Sequence, residues 1–336
     1  MPSPVPTMSI ETVAVCNFRC VMCPTLGMKA KDMGYMSDET FARVLDAVSG
    51  ATFIDMTGWG EPLLDEKIFE RIKAVRARGV KCAITSNGSL FNEKNRAKLF
   101  DCGMEALNIS IDSSNKEVFE DIRELGDWSV VSENISAIAA ERKRRGLTNP
   151  RLRSTFVLMR SNAHTVCDWV QFMAGIGFDE VCIKPADVLW SAEVLAMCLP
   201  LDDAQRYERL AQETARRAGI QLIAWNLDGV FPKADCLVKV YDTTCHIDWR
   251  GNVSPCCNLG HSVDRTISHN GVAKTFNVES LVFGNVNQNT LTEIWNSAPY
   301  VEFRETFKRG HVPEECHGCA LVHPHVVSPK YLELAH

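Results

Sequence analysis

The feature that most constrains the fold is the alternation of apolar runs with amphipathic segments over residues 8–200. Short apolar runs bounded by turn residues predict strands, and apolar residues spaced three and four apart predict helices. The predicted strands cover residues 10–15, 52–57, 80–85, 106–111, 152–159 and 181–184, and the best-marked helices cover 37–48, 66–78 and 92–102. Strands joined by helical crossovers form a parallel sheet. The sheet is either doubly wound or a complete or partial barrel, and both place sites at the carboxyl ends of the strands.

The sequence changes after about residue 225, where Asn, His, Gly and Cys become more frequent and long helical periodicity is lost. A short region of this kind gains much of its stability from a bound metal. We therefore predict a barrel domain over residues 8–225 and a small, irregular domain over residues 226–336.

Cysteine is the unusual residue in the composition, with 14 in a chain of 336. No run of about 20 apolar residues predicts a membrane span, and the N-terminus lacks a signal-peptide pattern, so we expect a cytoplasmic protein. The net charge of −6 argues against nucleic acid as a partner. In reducing cytosol, clustered cysteines indicate metal or redox chemistry. The isolated cysteines are predicted to pack as small apolar side chains: Cys82, Cys102, Cys167, Cys182 and Cys198.

Three clustered cysteines, Cys16, Cys20 and Cys23, follow the first predicted strand in a C-x3-C-x2-C pattern. Three thiolates on one loop can bind three irons of a [4Fe–4S] cluster and leave the fourth iron open to an outside ligand. The alternative is a zinc site, but three closely spaced cysteines without an obvious fourth ligand fit zinc poorly.

In this motif the chain resembles the radical S-adenosylmethionine (SAM) superfamily, over roughly residues 8–190. The resemblance implies a partial (β/α)6 TIM-like barrel, with SAM bound to the open iron through its amino and carboxylate groups. It also implies reductive cleavage of SAM to a 5′-deoxyadenosyl radical that abstracts hydrogen from a substrate. The family's aromatic residue before the third cysteine is Met22 here. A reducing partner such as flavodoxin or ferredoxin is then expected.

Loops after the later predicted strands extend the resemblance. Residues 57–62, Thr-Gly-Trp-Gly-Glu-Pro, stand where the family has its GGE motif, which by resemblance contacts the SAM amino group. Residues 85–88 resemble a segment near SAM but are also compatible with a simple turn. Arg153 or Arg160 is a candidate partner of the SAM carboxylate, with a solvated surface arginine as the alternative. The predicted SAM-binding residues are Thr57, Gly58, Trp59, Gly60, Glu61, Ser86, Asn87, Ser110, Asp112, Arg153 and Lys184.

A second set of cysteines resembles the C-terminal SPASM or shorter twitch extension of radical SAM enzymes. The pattern implies one auxiliary [4Fe–4S] cluster, and its predicted ligands are Cys236, Cys256, Cys316 and Cys319. Cys245 lies too close to Gly251 to be the first ligand, and the choice between Cys256 and Cys257 stays open. A four-cysteine zinc knot is the alternative. The resemblance therefore implies two [4Fe–4S] clusters and SAM as the cofactors.

The sequence predicts an enzyme that oxidises a small polar substrate, with the auxiliary cluster accepting the second electron. The alternatives are a redox-neutral epimerisation and the modification of a ribosomal peptide. The cluster motif begins at residue 16, which leaves no room for a leader-binding domain and favours a small substrate. For an epimerase, Cys245 and Cys257 are candidate hydrogen donors, although Cys245 also fits one buried strand face with Ile247. A non-catalytic iron–sulfur electron carrier is the alternative from another class.

Overall fold

The computed structural model describes residues 5–186, 188–224, 243–269, 272–316 and 319. Its strands, in chain order, are β1 (Thr7–Ile10), β2 (Arg19–Cys20), β3 (Phe53–Asp55), β4 (Lys81–Ser86), β5 (Ala106–Ser110), β6 (Arg123–Glu124), β7 (Arg151–Val157), β8 (Glu180–Lys184), β9 (Gln221–Ala224), β10 (Thr244–Ile247), β11 (Asn252–Ser254), β12 (Val263–His269), β13 (Val272–Val278) and β14 (Gly284–Asn285). Its helices are α1 (Asp38–Ala47), α2 (Ile68–Arg76), α3 (Glu93–Asp101), α4 (Lys116–Ile122), α5 (Trp128–Arg144), α6 (Val166–Ile176), α7 (Ala192–Met197), α8 (Leu201–Ala218), α9 (Leu291–Trp295) and α10 (Ala298–Lys308).

Most of the strands form one sheet in the order β14-β11-β10-β1-β3-β4-β5-β7-β8-β9. Every neighbouring pair from β10 to β9 is parallel, while β11 and β14 add antiparallel strands at one edge. Helices connect the successive parallel strands from β3 to β9. The predicted parallel α/β architecture is therefore confirmed, and the carboxyl ends of its strands meet at one edge.

The two faces of the sheet differ in chemistry because successive side chains of a strand point to opposite faces. Ile54, Leu107 and Phe156 belong to the apolar face and have no exposed surface in the hydrophobic core. The opposite, concave face is polar at its centre, where Asn108 of β5 and Thr155 of β7 lie side by side. The core is thus outside the barrel wall, and the inner face remains available for polar ligands.

The predicted helix boundaries follow from local chemistry. The Ser37 side chain accepts a hydrogen bond of 3.1 Å from the backbone N–H of Thr40, so Ser37 caps α1 as predicted. Gly79 follows α2 with φ of +78°, a conformation that glycine adopts without steric cost. Such caps explain why α1, α2 and α3 fall within two residues of the predicted bounds.

The first predicted strand, 10–15, is wrong in position, because β1 covers Thr7–Ile10. Beyond Ile10 the chain leaves the sheet and pairs with residues 34–36 instead. The N–H of Ala14 donates to the Gly34 carbonyl at 2.9 Å, and the N–H of Met36 donates to the Thr12 carbonyl at 2.8 Å. The apolar residues at 13–15 thus lie between β1 and the cysteine loop rather than extend the strand.

The C-terminal region contributes directly to the main sheet, which the sequence did not predict. Strand β10 pairs in parallel with β1, with Cys245 opposite Met8. Strands β12 and β13 form a separate hairpin, and α9 and α10 follow it. In the described part of the chain, no helix combines the length and apolar character needed to cross a membrane.

Candidate iron–sulfur and SAM site

The cysteine loop lies between β1 and α1, at the carboxyl edge of the sheet, and its three thiols form no disulfide. Each sulfur has a hydrogen-bond donor from a different part of the chain. The Phe18 backbone N–H lies 3.4 Å from Cys16 Sγ, and the Thr25 hydroxyl lies 3.1 Å from Cys23 Sγ. Burial raises the pKa of Cys16 to about 11, and the Phe18 N–H opposes that shift. Hydrogen bonds of this kind also orient the side chains that bind a metal.

The third sulfur, that of Cys20, lies beside a buried cation. Arg123 Nη1 is 3.6 Å from Cys20 Sγ, and β2 pairs with β6 so that these two residues are opposite each other. Arg123 Nη2 also lies 2.7 Å from Asp112 Oδ2. The guanidinium therefore offsets negative charge on the loop while its own charge is balanced by Asp112.

Asp112, a predicted SAM-binding residue, also has partners within the fold. Its side chain has no exposed surface, its Oδ2 is paired with Arg123, and its Oδ1 accepts the N–H of Val157 at 2.7 Å. Both carboxylate oxygens thus contact the fold, and Asp112 positions Arg123 beside the cysteine loop. Its predicted contact with SAM stays a prediction.

Glu61 is a buried anchor of the predicted SAM loops. Its Oε1 accepts from the Ser86 hydroxyl at 2.8 Å, and its Oε2 accepts the N–H of Asn87 at 2.8 Å. Burial raises the pKa of Glu61 to about 7 despite these donors. Asn87 Nδ2 in turn donates to Asn17 Oδ1 at 2.9 Å and lies 3.9 Å from Cys16 Sγ. The loops after β3 and β4 are therefore fixed to the cysteine loop.

The glycine-rich segment after β3 packs directly against the residues that follow β1. A Cβ on Gly60 would lie 2.2 Å from the Val13 carbonyl oxygen, and one on Gly58 would lie 2.2 Å from the Glu11 side chain. The Trp59 N–H donates to Glu11 Oε1 at 2.8 Å. The Thr57 hydroxyl accepts the N–H of Thr85 at 2.8 Å. Both glycines are required by close approach, as the motif predicts.

Two other predicted SAM residues lie at carboxyl strand ends, but Arg153 does not. Ser110 ends β5 and Lys184 ends β8. Burial raises the pKa of the nearby Asp112, and the Lys184 ammonium is among the groups that oppose this shift. Arg153 is the third residue of β7, and its Nε donates to Glu180 Oε1 at 2.5 Å. The prediction for Arg153 is therefore corrected, because it is paired near the opposite end of the barrel. Arg160, the alternative, donates from Nε to the Ala196 carbonyl at 3.1 Å.

The polar centre of the concave face was missed by the sequence analysis. Thr155 Oγ1 donates to Asn108 Oδ1 at 2.9 Å, and Asn108 Nδ2 lies 3.3 Å from Thr85 Oγ1. Asp55 lies deeper, where burial raises its pKa to about 6, while the Thr57 hydroxyl and the Arg153 charge oppose that shift. Polar residues at alternate positions of otherwise apolar strands were the signal that could have found this surface.

The auxiliary cysteines converge within the C-terminal region. Cys256 and Cys257 follow β11, and Cys316 and Cys319 lie beyond α10. Asn258 connects the two segments, with its Nδ2 4.0 Å from Cys319 Sγ. Cys236, the remaining predicted ligand, lies outside the described residues. Asn258 thus brings the turn after β11 close to Cys319, and both Cys256 and Cys257 are half-buried.

Cys245 is corrected as a candidate hydrogen donor. It is 1% exposed and lies in β10 opposite Met8, on the apolar face of the sheet. Burial raises the pKa of the Cys245 thiol to about 12, and Tyr300 of α10, which has no exposed surface, lies on this side of the sheet. A substrate on the concave face cannot reach this sulfur, so Cys245 has the packing role given as the alternative.

A parallel barrel wall with cysteines at its carboxyl edge, followed by a second cysteine set, defines an iron–sulfur protein of the partial-barrel class. Two family models match in the same order. The model described as the radical SAM superfamily matches residues 10–163, and the SPASM iron–sulfur cluster-binding domain matches residues 236–320. The chain belongs to the radical SAM superfamily and carries a C-terminal SPASM domain.

Full-length relatives agree with this assignment. The tungsten-containing aldehyde ferredoxin oxidoreductase cofactor-modifying protein of Pyrococcus furiosus is 25% identical over 329 residues, 93% of this chain and 86% of the relative. The AdoMet-dependent heme synthase of Methanosarcina barkeri is 24% identical over 331 residues, 92% of this chain and 85% of the relative. The chain spans about half the length of several GTP 3′,8-cyclases that it also matches.

A solved structure shows the same fold. Streptococcus suis SuiB bound to S-adenosylmethionine superposes with a TM-score of 0.68 and 15% identity, covering 95% of this chain and 72% of SuiB. SuiB bound to precursor peptide SuiA gives a TM-score of 0.67, with 95% and 70% covered. The partial TIM-like barrel is confirmed. So are the cofactors of the family, a [4Fe–4S] cluster with SAM in the barrel and auxiliary iron–sulfur binding in the SPASM domain.

Proposed function

We propose that this radical SAM enzyme oxidises a small polar molecule bound against the concave face of its barrel, as the sequence predicts. The observation that carries the proposal is the polar centre of that face. Asn108 and Thr155 hold a partly exposed hydrogen-bonded pair there. A few convergent polar groups on a concave surface are the usual means by which a protein orients a small polar ligand.

The names of the two full-length relatives support a substrate of the cofactor type. One is called cofactor-modifying and the other a heme synthase, and each is matched over at least 85% of its length. The structure of SuiB with a precursor peptide supports only the fold, because its identity to this chain is 15%. We therefore favour a cofactor or cofactor precursor over a peptide.

The protein's own residues hold and orient the reactive groups. Cys16, Cys20 and Cys23 would bind the cluster, and Arg123 offsets its negative charge. Glu61 and Asn87 fix the loops that approach SAM. When bound, these groups supply reductive cleavage of SAM and removal of a substrate hydrogen atom, with the second electron passing to the auxiliary cluster.

The position of the thiols favours oxidation over epimerisation. An epimerase must return a hydrogen atom to the substrate from a donor on the other face. Cys245 points away from the barrel interior, and Cys257 Sγ lies 3.7 Å from Asn258 Oδ1 in the auxiliary cysteine turn. A substrate oxidised by two electrons needs neither thiol, so we expect a product that is two hydrogen atoms lighter.

Deuterium transfer into 5′-deoxyadenosine tests the substrate class even while the substrate itself is unidentified. The reconstituted enzyme would be incubated anaerobically with dithionite, SAM and extract of the native host grown in deuterated medium. The extract would be split into a low-molecular-mass fraction and a peptide fraction. We expect deuterated 5′-deoxyadenosine with the first fraction only. Transfer from the peptide fraction alone would contradict the proposal and favour peptide modification.

Two variants sharpen this test. Replacing Asn108 with Ala should lower deuterium transfer roughly 2–10-fold, the effect of one lost neutral hydrogen bond, while cleavage of SAM without substrate continues. The exposed residue Asn289 provides the matched Asn→Ala control. Cys245→Ala should leave the product unchanged. A product of unchanged mass that takes up one solvent deuterium would instead favour epimerisation.

A further inference from the structure

A group of three metal-ligating side chains lies outside both cysteine sets. Glu11 follows β1, His246 belongs to β10, and His261 precedes β12. One nitrogen of each imidazole and one carboxylate oxygen all lie within 4.8 Å of one another. None of the three side chains is more than 3% exposed. This triad joins the first strand of the barrel to the SPASM region.

Hydrogen bonding fixes the tautomer of His246. The Ser9 hydroxyl has one proton and donates it to the Thr57 carbonyl at 2.8 Å. Ser9 Oγ can therefore only accept from His246 Nδ1, 3.0 Å away, so Nδ1 carries the proton. His246 Nε2 is left with a lone pair, buried and without a hydrogen-bond partner in the described structure. A buried acceptor without a partner is costly unless something absent here binds it.

The other two members of the triad are held in the same way. Glu11 Oε1 accepts the Trp59 N–H at 2.8 Å, which leaves Oε2 directed to His261 Nε2 at 2.8 Å. Gly260 allows the backbone to approach the His246 ring, because a Cβ there would lie 2.7 Å from the ring. A histidine with one nitrogen bonded to a polar group and the other free is the usual arrangement of a metal ligand.

We propose that Glu11, His246 and His261 bind a divalent transition-metal ion, zinc or iron(II), separate from both clusters. Two imidazoles and a carboxylate are ligands that these ions accept, whereas calcium and magnesium prefer oxygen ligands alone. Without a metal, the hydrogen bond between Glu11 and His261 explains the burial of those two side chains. It leaves His246 Nε2 unexplained, and a bound cation explains all three.

The proposed ion would tie together three segments that approach the SAM loop. Glu11 contacts residues 57–61 through Trp59, and His246 contacts the same segment through Ser9 and the Thr57 carbonyl. The three side chains leave one coordination position for water, and because they belong to three separate segments we assign the ion a role in holding the loop and β10 in place. This assignment does not depend on which substrate the enzyme oxidises.

Zinc binding by the intact, cluster-loaded protein tests the proposal. The anaerobic protein would be treated with a chelator, titrated with Zn²⁺, and measured by elemental analysis for zinc and iron together. We expect one zinc per chain at unchanged cluster iron. His246→Asn keeps a donor at the position of Nδ1 for Ser9 but lacks Nε2. It should weaken zinc binding by more than roughly 10–100-fold, which is the usual effect of losing a hydrogen bond to a metal ligand rather than the ligand itself.

Zinc X-ray absorption identifies the ligands independently of enzyme activity. Nitrogen and oxygen at about 2.0–2.2 Å would support the triad, whereas sulfur at about 2.3 Å would place zinc on the cysteines and overturn the proposal. The isosteric change Glu11→Gln is the second variant, because it keeps an acceptor for the Trp59 N–H. Exposed His311→Asn is the matched control. Zinc bound equally by wild type and both triad variants, or not bound at all, would also overturn the site.

Discussion

At the scale of single residues, a polar side chain stabilises the fold at one position and is placed to contact a ligand at another. Asp112 was predicted to contact SAM, yet Arg123 and the Val157 N–H occupy its carboxylate. Asn108 was not predicted, yet it lies at the centre of the concave face. A sequence shows that a polar residue ends or interrupts a strand. It does not show which neighbouring strand supplies its partner.

Asp55 gives a pH dependence of stability. Burial raises its pKa to about 6 in the folded protein, whereas an unfolded Asp titrates near pH 3.9. The folded state keeps the Asp55 proton to a higher pH than the unfolded state does. The free energy of unfolding therefore falls as the pH rises between these two values. Asp55→Asn lacks this decline while keeping an acceptor for Thr57. Relative to this variant, the free energy of unfolding of the wild-type protein should fall by about 1 kcal/mol between about pH 5 and about pH 7.

Urea unfolding of both proteins at the two pH values measures this difference. The comparison between the variants removes the contributions of all other titrating groups, because these are common to both proteins. A difference in unfolding free energy that stays constant over this range, or that changes with the opposite sign, would contradict the raised pKa of Asp55.

At the scale of helices and strands, local sequence signals predict the ends of an element correctly where the capping residues and the apolar periodicity agree. Ser37 and Gly79 mark the ends of α1 and α2 in sequence and in structure. The first strand is misplaced because residues 13–15 are apolar but pair with residues 34–36 outside the main sheet. The junction of β10 with β1 could not be predicted, since a pairing between residues 9 and 246 leaves no local signal.

Gly60 gives a prediction for the loop after β3. A Cβ at this position would lie 2.2 Å from one backbone oxygen, that of Val13, and 2.7 Å from another, that of Val15. Gly60→Ala must therefore separate the loop from residues 13–15. We expect much slower SAM cleavage at normal iron content, because the cysteines are unchanged but the loop is displaced.

Gly175 is the matched control, because a Cβ there meets nothing within 4 Å and the residue lies inside α6. Gly175→Ala should be neutral or stabilising by up to about 1 kcal/mol, the helix preference of Ala over Gly. The measurements are formation of 5′-deoxyadenosine and iron per chain. Normal SAM cleavage by Gly60→Ala would show that the loop tolerates displacement.

At the scale of the whole molecule, the number of clusters follows from the two cysteine sets. The reconstituted protein should contain about eight irons per chain, from two clusters of four. Changing Cys16, Cys20 and Cys23 together to Ala should remove about half of the iron and abolish 5′-deoxyadenosine formation. Changing Cys319 to Ala should lower iron without abolishing SAM cleavage.

Iron and sulfide analysis with a reductive cleavage assay checks both expectations. The triple change of Cys82, Cys102 and Cys198 to Ala is a matched control, because these cysteines are buried and far along the chain from either set. SAM cleavage that survives loss of the loop cysteines would refute the assignment of the catalytic cluster. Zinc in place of iron at the C-terminal set would refute the auxiliary cluster.

The pairing of β10 with β1 also constrains how the chain matures during translation. Thr7 is hydrogen-bonded to Thr243, next to the pairing of β1 with β10. One edge of β1 therefore stays unpaired until more than two-thirds of the chain has left the ribosome. An exposed strand edge is a template for wrong pairing and aggregation, and contacts this distant in sequence form slowly. The nascent barrel therefore exposes one edge of β1 until the SPASM region has been synthesised, so the risk of aggregation during translation follows from the topology.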